Sequence, residues 1–188
     1  MPREPDSLDA GDILTDAVMS VLAESGATGF SLRALATARG GSVGALTNRF
    51  GSRDRMLHIA INYFRHRWNT DMGARVWSEG ALALLPLSDD EVEDCRVWFA
   101  FCELARANAV LTLCVADQRE EERGLVQMVT RGRGDEATID VLLALIHGLR
   151  VAICTPDSLR VAAARTLLGA HLERQGLAGP PDPLRDVG

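Results

Sequence analysis

The sequence predicts an all-α fold of about nine helices, and three observations carry that expectation. Alanine, leucine, arginine and glutamate dominate the 188 residues, aromatics are only 5%, and β-branched runs are scarce, a helix-forming composition. Apolar residues recur at i, i+3 and i+4 through most of the chain, the spacing of one helix face. Serine or aspartate precedes several of these stretches, and glycine or proline ends them, as caps and stops do. Hydrophobic residues make up 47%, enough for one or two domains with a sizeable core.

The elements follow in order. Ser7 to Ser25 reads as the first helix, with Ile13, Leu14, Ala17, Val18, Val21 and Leu22 on one side and Gly26 as its stop. Ser31 caps a short second helix, LRALATAR, which ends at Gly40. Gly40-Gly41 makes a turn, Ser42 caps a short third helix, VGALTNR, and Phe50-Gly51 closes it. Ser52 caps a longer fourth helix with Met56, Leu57, Ile59, Ala60, Tyr63 and Phe64 on its apolar side. Residues 74–85 form a short apolar segment stopped by Pro86. SDDE at 88–91 is a capping box, Ser88 with Glu91, opening a helix through Leu104. Another helix is expected from about Val110 to Thr130. RGRGDE at 131–136 is a turn, and Asp135 caps a strongly apolar helix reaching Cys154. Pro156 starts a last helix that ends near Gly176. The pattern divides the chain into a three-helix N-terminal domain (1–51), a helical bundle (52–175) and a Pro/Gly-rich tail, 176–188, expected to be disordered.

The net charge of −6 conceals an asymmetry. Residues 30–67 hold seven arginines and one acid, whereas residues 68–188 hold twelve arginines and nineteen acids. That points one small region at a polyanion. Two short helices joined by a glycine turn, with a third packed across them, form a helix-turn-helix, whose second helix enters a major groove about 12 Å wide. Gly44 and Ala45 are small where backbone approaches phosphate, Leu46 and Phe50 dock the helix, and Ser42, Thr47, Asn48 and Arg49 face outward. With Ser31, Arg33, Val43 and Arg53, these residues (Leu46 and Phe50 apart) make up the expected DNA-facing set. Free N–H groups at the helix starts after Ser42 and Ser52 suit phosphates. The competing reading is a tight corner in a bundle with arginines on a solvated face.

Residues 13–57, ILTDAVMSVLAESGATGFSLRALATARGGSVGALTNRFGSRDRML, resemble the DNA-binding domain of TetR-family transcriptional regulators. Gly26, Leu32, Leu35, Ala36, Gly40, Ser42, Gly44, Leu46, Phe50, Asp54 and Met56 or Leu57 carry the match. Residues 85–175 are similar to the ligand-binding half of the branch containing betaine/choline-responsive repressors. The resemblance implies a regulator that binds a palindromic operator as a homodimer and is released by a small-molecule effector, with no cofactor. Three positions depart from the family pattern. Gly41 replaces a valine, with an expected cavity cost of ~1–2 kcal/mol. Thr47 replaces a tyrosine that contacts phosphate, and Arg53 replaces a lysine whose contact it can still make.

The bulky residues Trp68, Trp77, Trp98, Phe99, Phe101 and Met128 gather in the bundle, where they line an apolar pocket or pack the core. Glu103 and His147 are polar groups inside apolar stretches, suited to orienting a ligand or to hydrogen bonding in the core; a cationic ligand would suit Glu103 with the tryptophans. The candidate ligand set is Trp68, Trp77, Trp98, Phe99, Cys102, Glu103, Met128 and His147. Cys95, Cys102, Cys114 and Cys154 sit singly in apolar segments and read as small hydrophobes; the alternative is thiol sensing by Cys95 and Cys102, seven apart on one face. The apolar faces of the last two helices suggest a two-fold four-helix interface.

Enzyme motifs are missing: there is no HExxH, G-x-S-x-G, Walker loop or dinucleotide fingerprint, so neither catalysis nor a metal site is expected. No apolar run approaches the roughly 20 residues that span a bilayer, and the N-terminus lacks an apolar signal core; the chain reads as cytoplasmic, with no membrane partner. The second functional reading is a helical interaction protein of the same fold with weak or lost operator binding.

Overall fold

The computed structural model describes residues 6–130 and 134–179, with residues 6–11 by backbone alone. Among them the chain forms eight α-helices: α1 (Asp6–Gly29), α2 (Leu32–Ala38), α3 (Val43–Phe50), α4 (Arg53–Glu79), α5 (Asp89–Ala105), α6 (Ala109–Thr130), α7 (Glu136–Cys154) and α8 (Val161–Arg174). A 3-10 turn, Gly80–Leu84, follows α4, and no strand occurs among the described residues. The all-α expectation holds. The apolar segment expected over 74–85 is the last turn and a half of α4 plus this 3-10 turn, so eight α-helices stand where about nine were expected.

The described chain parts into two compact units. One holds α1, α2, α3, α4 up to Arg67, and Arg96–Asp117; the other holds Trp68–Cys95 and the described residues from Gln118 onward. The division between the two units falls within α4, α5 and α6.

In the first unit, the caps read from sequence are present. Ser31, Ser42 and Ser52 accept hydrogen bonds from the N–H groups of Ala34, Ala45 and Arg55 at 3.1, 3.2 and 3.2 Å. The α1 backbone bends at Gly26, which takes φ 64. At the end of α2, Gly40 takes φ 63, while the N–H groups of Gly40 and Gly41 donate to Thr37 and Ala36. This pairing satisfies two terminal carbonyls and needs a left-handed residue at Gly40. Gly41 is not in that region, is exposed, and a Cβ there would meet nothing within 4 Å. The cavity expected at Gly41 is therefore absent, because a side chain there would project into open space. Leu14, Leu22, Leu35, Met56, Leu57, Ile61 and Phe101 are fully buried in this unit, and Phe64 stacks on Trp98 at 6.2 Å with planes 6° apart.

The second unit packs α7 and α8 around Leu142, Ile146, Ala164 and Leu168, all at most 1% exposed. Two arginine clusters hold the 3-10 turn. Arg165 donates to Leu82 O at 2.9 Å, Leu85 O at 3.2 Å and Glu79 at 2.7 Å. Arg75 pairs with Glu79 and with Glu91, the latter at 2.9 Å. Burial pushes the Glu79 carboxyl up, but the hydrogen bond from Arg165 and the charge of Arg75 outweigh it, leaving its pKa below the ordinary glutamate value. Arg150 on α7 donates to Leu84 O at 2.8 Å and pairs with Glu122 on α6, its guanidinium 5.8 Å from the Trp68 ring.

Several expectations are corrected here. The Ser88–Glu91 box forms only in part: Glu91 N–H donates to Ser88 Oγ at 3.4 Å, but the Glu91 carboxylate accepts from Leu87 N–H and Arg75. The last helix begins at Val161, not Pro156, since Asp157 takes φ 56 and breaks the run. Residue 177 is no part of a disordered tail. Gly176 takes φ 66, Leu177 N–H donates to Leu172 O at 2.8 Å, and Leu177 is 4% exposed in the core; residues 180–188 of the expected tail and 131–133 of the expected turn lie outside the described residues. Finally, α7 is 19 residues long with hydropathy 1.8, enough by length and composition to cross a membrane. Ile139, Leu142, Ile146, Leu149, Arg150 and Ile153 form its buried side in the second unit, where Arg150 pairs with Glu122.

Candidate nucleic-acid interface

α3 places its apolar residues one turn apart. Leu46 and Phe50 are 5% and 8% exposed, which commits one side of the helix to the core. Val43, Gly44, Ala45, Asn48 and Arg49 are exposed, and Thr47 is half-buried. A Cβ at Gly44 would meet nothing nearer than Ser42 Oγ at 4.0 Å, so packing within the chain does not demand that glycine; it thins the outward surface instead. The Ser31 and Ser42 oxygens are used as caps, which leaves their hydroxyl protons for an outside acceptor. The first N–H groups of α3, on Val43 and Gly44, have no partner within their helix.

Thr47 bonds to its own helix. Its hydroxyl donates to Val43 O at 3.0 Å and Gly44 O at 3.2 Å. That proton is spent on the helix itself, and a phosphate, which only accepts, gains nothing from the remaining lone pairs.

The arginines lie over rings. Arg53 stands 5.2 Å from the Phe30 centroid and 3.7 Å from Asp54. Arg49 and Arg39 stand 5.5 and 5.3 Å from the Phe50 centroid. Arg33 is exposed. Among the described residues no carboxylate pairs with Arg33, Arg39 or Arg49. Arg39 and Arg55 count in the cationic surplus but carry no role in the sequence reading. No spacing rule reaches from Arg39 to Phe50, since a turn separates their helices.

The candidate ligand residues divide between the units. In the first, Trp98 is 9% exposed and stacked on Phe64, Phe99 and Cys102 are half-buried, and Glu103 is exposed on the outside of α5. In the second, Trp68 and Met128 pack partly buried against the core, with Arg150 over the Trp68 ring. Trp77 is 50% exposed. His147 lies on the outer side of α7, and partial burial together with the Arg150 charge lowers its pKa. Cys95 has Cys154 as a thiol neighbour: a hydrogen bond between them, together with burial, pushes the Cys95 thiol far above its ordinary range.

Residues 74–177 match the family described as the C-terminal domain of BetI-type transcriptional repressors. The chain is 29% identical over 115 residues to the HTH-type transcriptional regulator PksA of Bacillus subtilis (strain 168), covering 56% of this chain and 56% of that protein. It therefore spans about half the length of that curated relative. A transcriptional regulator from Rhodococcus sp. Rha1 has a similar structure, with TM-score 0.73 at 24% identity over 88% of this chain and 97% of that one. A transcriptional regulator from Saccharomonospora viridis, solved in complex with choline, gives TM-score 0.72 at 16% identity over 89% and 97%. These structures share the fold; the family match covers more than half of the sequence. The chain belongs to the TetR family of transcriptional regulators, with a C-terminal half of the BetI type.

Proposed function

We propose that this protein is a cytoplasmic, ligand-responsive repressor that binds a palindromic operator as a homodimer. The carrying observation is the α3 surface: a docked apolar side, an exposed face of Val43, Gly44, Ala45, Asn48 and Arg49, and an Arg49 guanidinium that no carboxylate among the described residues pairs. Exposed Val43 and Ala45 suit thymine methyl groups, while Asn48 and Arg49 suit base edges or phosphate. Ser31, Arg33, Ser42 and Arg53 supply donors around the helix.

The dimer reading is supported by apolar side chains left outside on the last two helices. Val141, Val151 and Leu167 are 56%, 43% and 53% exposed, and exposed Ala144 and Gly148 lie between the two valines on α7, where small residues permit close helix approach. Pairing through α7 and α8 gives an isologous interface and two recognition helices for two half-sites.

A small organic effector bound in the C-terminal half would release the operator by favouring one of two conformations through differential affinity. The choline in the Saccharomonospora complex makes quaternary amines the first compounds to test. In this chain the Trp68 ring already carries Arg150 and Trp98 is stacked on Phe64, so each of these rings has one side already taken. The second reading, a helical interaction protein that has lost operator binding, draws its support from Thr47, whose donor is spent on its own helix.

Gel shifts with DNA upstream of the gene distinguish the two. Arg49→Ala weakens a specific complex on the first reading, and the wild-type chain forms none on the second.

A further inference from the structure

We propose that Arg39 is a contact to the DNA sugar-phosphate backbone, held ready together with Arg49 by the ring of Phe50. The assignment rests on the DNA-binding reading above.

The two arginines come from different helices. Arg39 is the C-cap of α2, and Arg49 lies in the last turn of α3. Both guanidiniums nevertheless stand over one ring, at 5.3 and 5.5 Å from its centroid. Phe50 is 8% exposed and anchored in the core, so it is a fixed platform. A ring contact uses none of a guanidinium's five N–H donors as hydrogen bonds. Those donors have no carboxylate among the described residues. Two like charges sharing a ring repel each other, and a bound anion relieves that repulsion. Phosphate fits the fork geometry of these donors. The ring contacts also restrict both long side chains before binding, which reduces the entropy lost on contact.

Position assigns Arg39 to the backbone and not to bases. Base edges are read by residues near the start of the second helix of the motif, whereas Arg39 lies on the first, beyond its last turn. Its contact therefore carries charge and no sequence information. It also supplies a donor that Thr47 cannot, because the Thr47 proton goes to Val43 and Gly44.

The test is fluorescence anisotropy with two labelled duplexes of equal length, one from upstream of the gene and one unrelated, over a range of KCl. Wild type, Arg39→Gln and Arg39→Lys are compared after circular dichroism confirms equal folding. Arg39→Gln lowers the slope of log K against log salt by about 0.9 per bound subunit on both duplexes, and weakens both by the same factor. Arg39→Lys keeps the slope. An unchanged slope in Arg39→Gln, a loss confined to one duplex, or a lysine variant that falls as far as glutamine overturns the assignment while leaving DNA binding standing. If wild type binds neither duplex, the DNA-binding reading fails and takes this assignment with it.

Discussion

Replacing Glu122 with alanine leaves the Arg150 guanidinium charged inside the second unit. The side chains of this pair are 7% and 16% exposed, so solvent does little to compensate the loss. Removing one partner of a buried pair costs about 3–5 kcal/mol. Arg150 keeps its bond to Leu84 O at 2.8 Å and its place over Trp68, which puts the expected cost at the lower end, about 3 kcal/mol. Glu122→Gln retains an acceptor for Arg150 and costs about 1–2 kcal/mol. The double variant Glu122→Leu, Arg150→Met removes both charges and recovers most of the loss, less about 1 kcal/mol for the Leu84 carbonyl left without its donor. Urea titration followed by circular dichroism at one fixed protein concentration measures all three, since association couples to apparent stability. With a slope of about 2 kcal/mol/M, the alanine variant moves the midpoint down by about 1.5 M. A cost under about 1 kcal/mol for Glu122→Ala would mean that the pair is solvated and that Arg150 does not tie α6, α7 and the 3-10 turn together.

Other outcomes follow from single sites. Gly41→Ala is accommodated without a clash and raises stability by about 0.4–1 kcal/mol through the unfolded chain; a drop in Tm would show that its backbone or surroundings differ from those described. Glu79 has a lowered pKa, so its contribution to stability is present above the ordinary glutamate range and disappears as pH falls through that range and below. Glu79→Gln therefore flattens the acid side of a stability-against-pH curve, and identical acid limbs for the two proteins would contradict the arginine cluster. Cys95, raised by its Cys154 hydrogen bond and by burial, resists iodoacetamide at pH 7.5 in the native protein. Rapid alkylation at that site, mapped by mass spectrometry, would contradict the pairing.

What could be read from the sequence was local. Ser31, Ser42, Ser52 and Asp135 cap where the pattern places them, because a cap needs only a side chain three residues from an N–H. The buried positions Leu46 and Phe50 follow from helical spacing alone. Features that depend on distant partners were not legible. Glu91 turns to Arg75 sixteen residues away, Arg39 reaches Phe50 across a turn, and Cys95 meets Cys154 from another helix. The start of α8 is not legible because proline favours a first helical turn, whereas here it precedes a left-handed Asp157. Among the candidate ligand residues, the apolar sequence neighbours of Glu103 and His147 point to an interior place for both, yet both lie on outer helix faces. An apolar neighbour along the chain points to a different side of a helix, so it says little about a residue's own exposure.

The central claim is that the exposed face of α3, α2's arginines included, engages duplex DNA as a pair. The most direct measurement is the mass of the complex formed with DNA from upstream of the gene, read by multi-angle light scattering at low and high salt. The account predicts two chains per duplex at low salt and dissociation of the DNA as salt rises. A single chain that never associates with the duplex, even in dilute buffer, would contradict it.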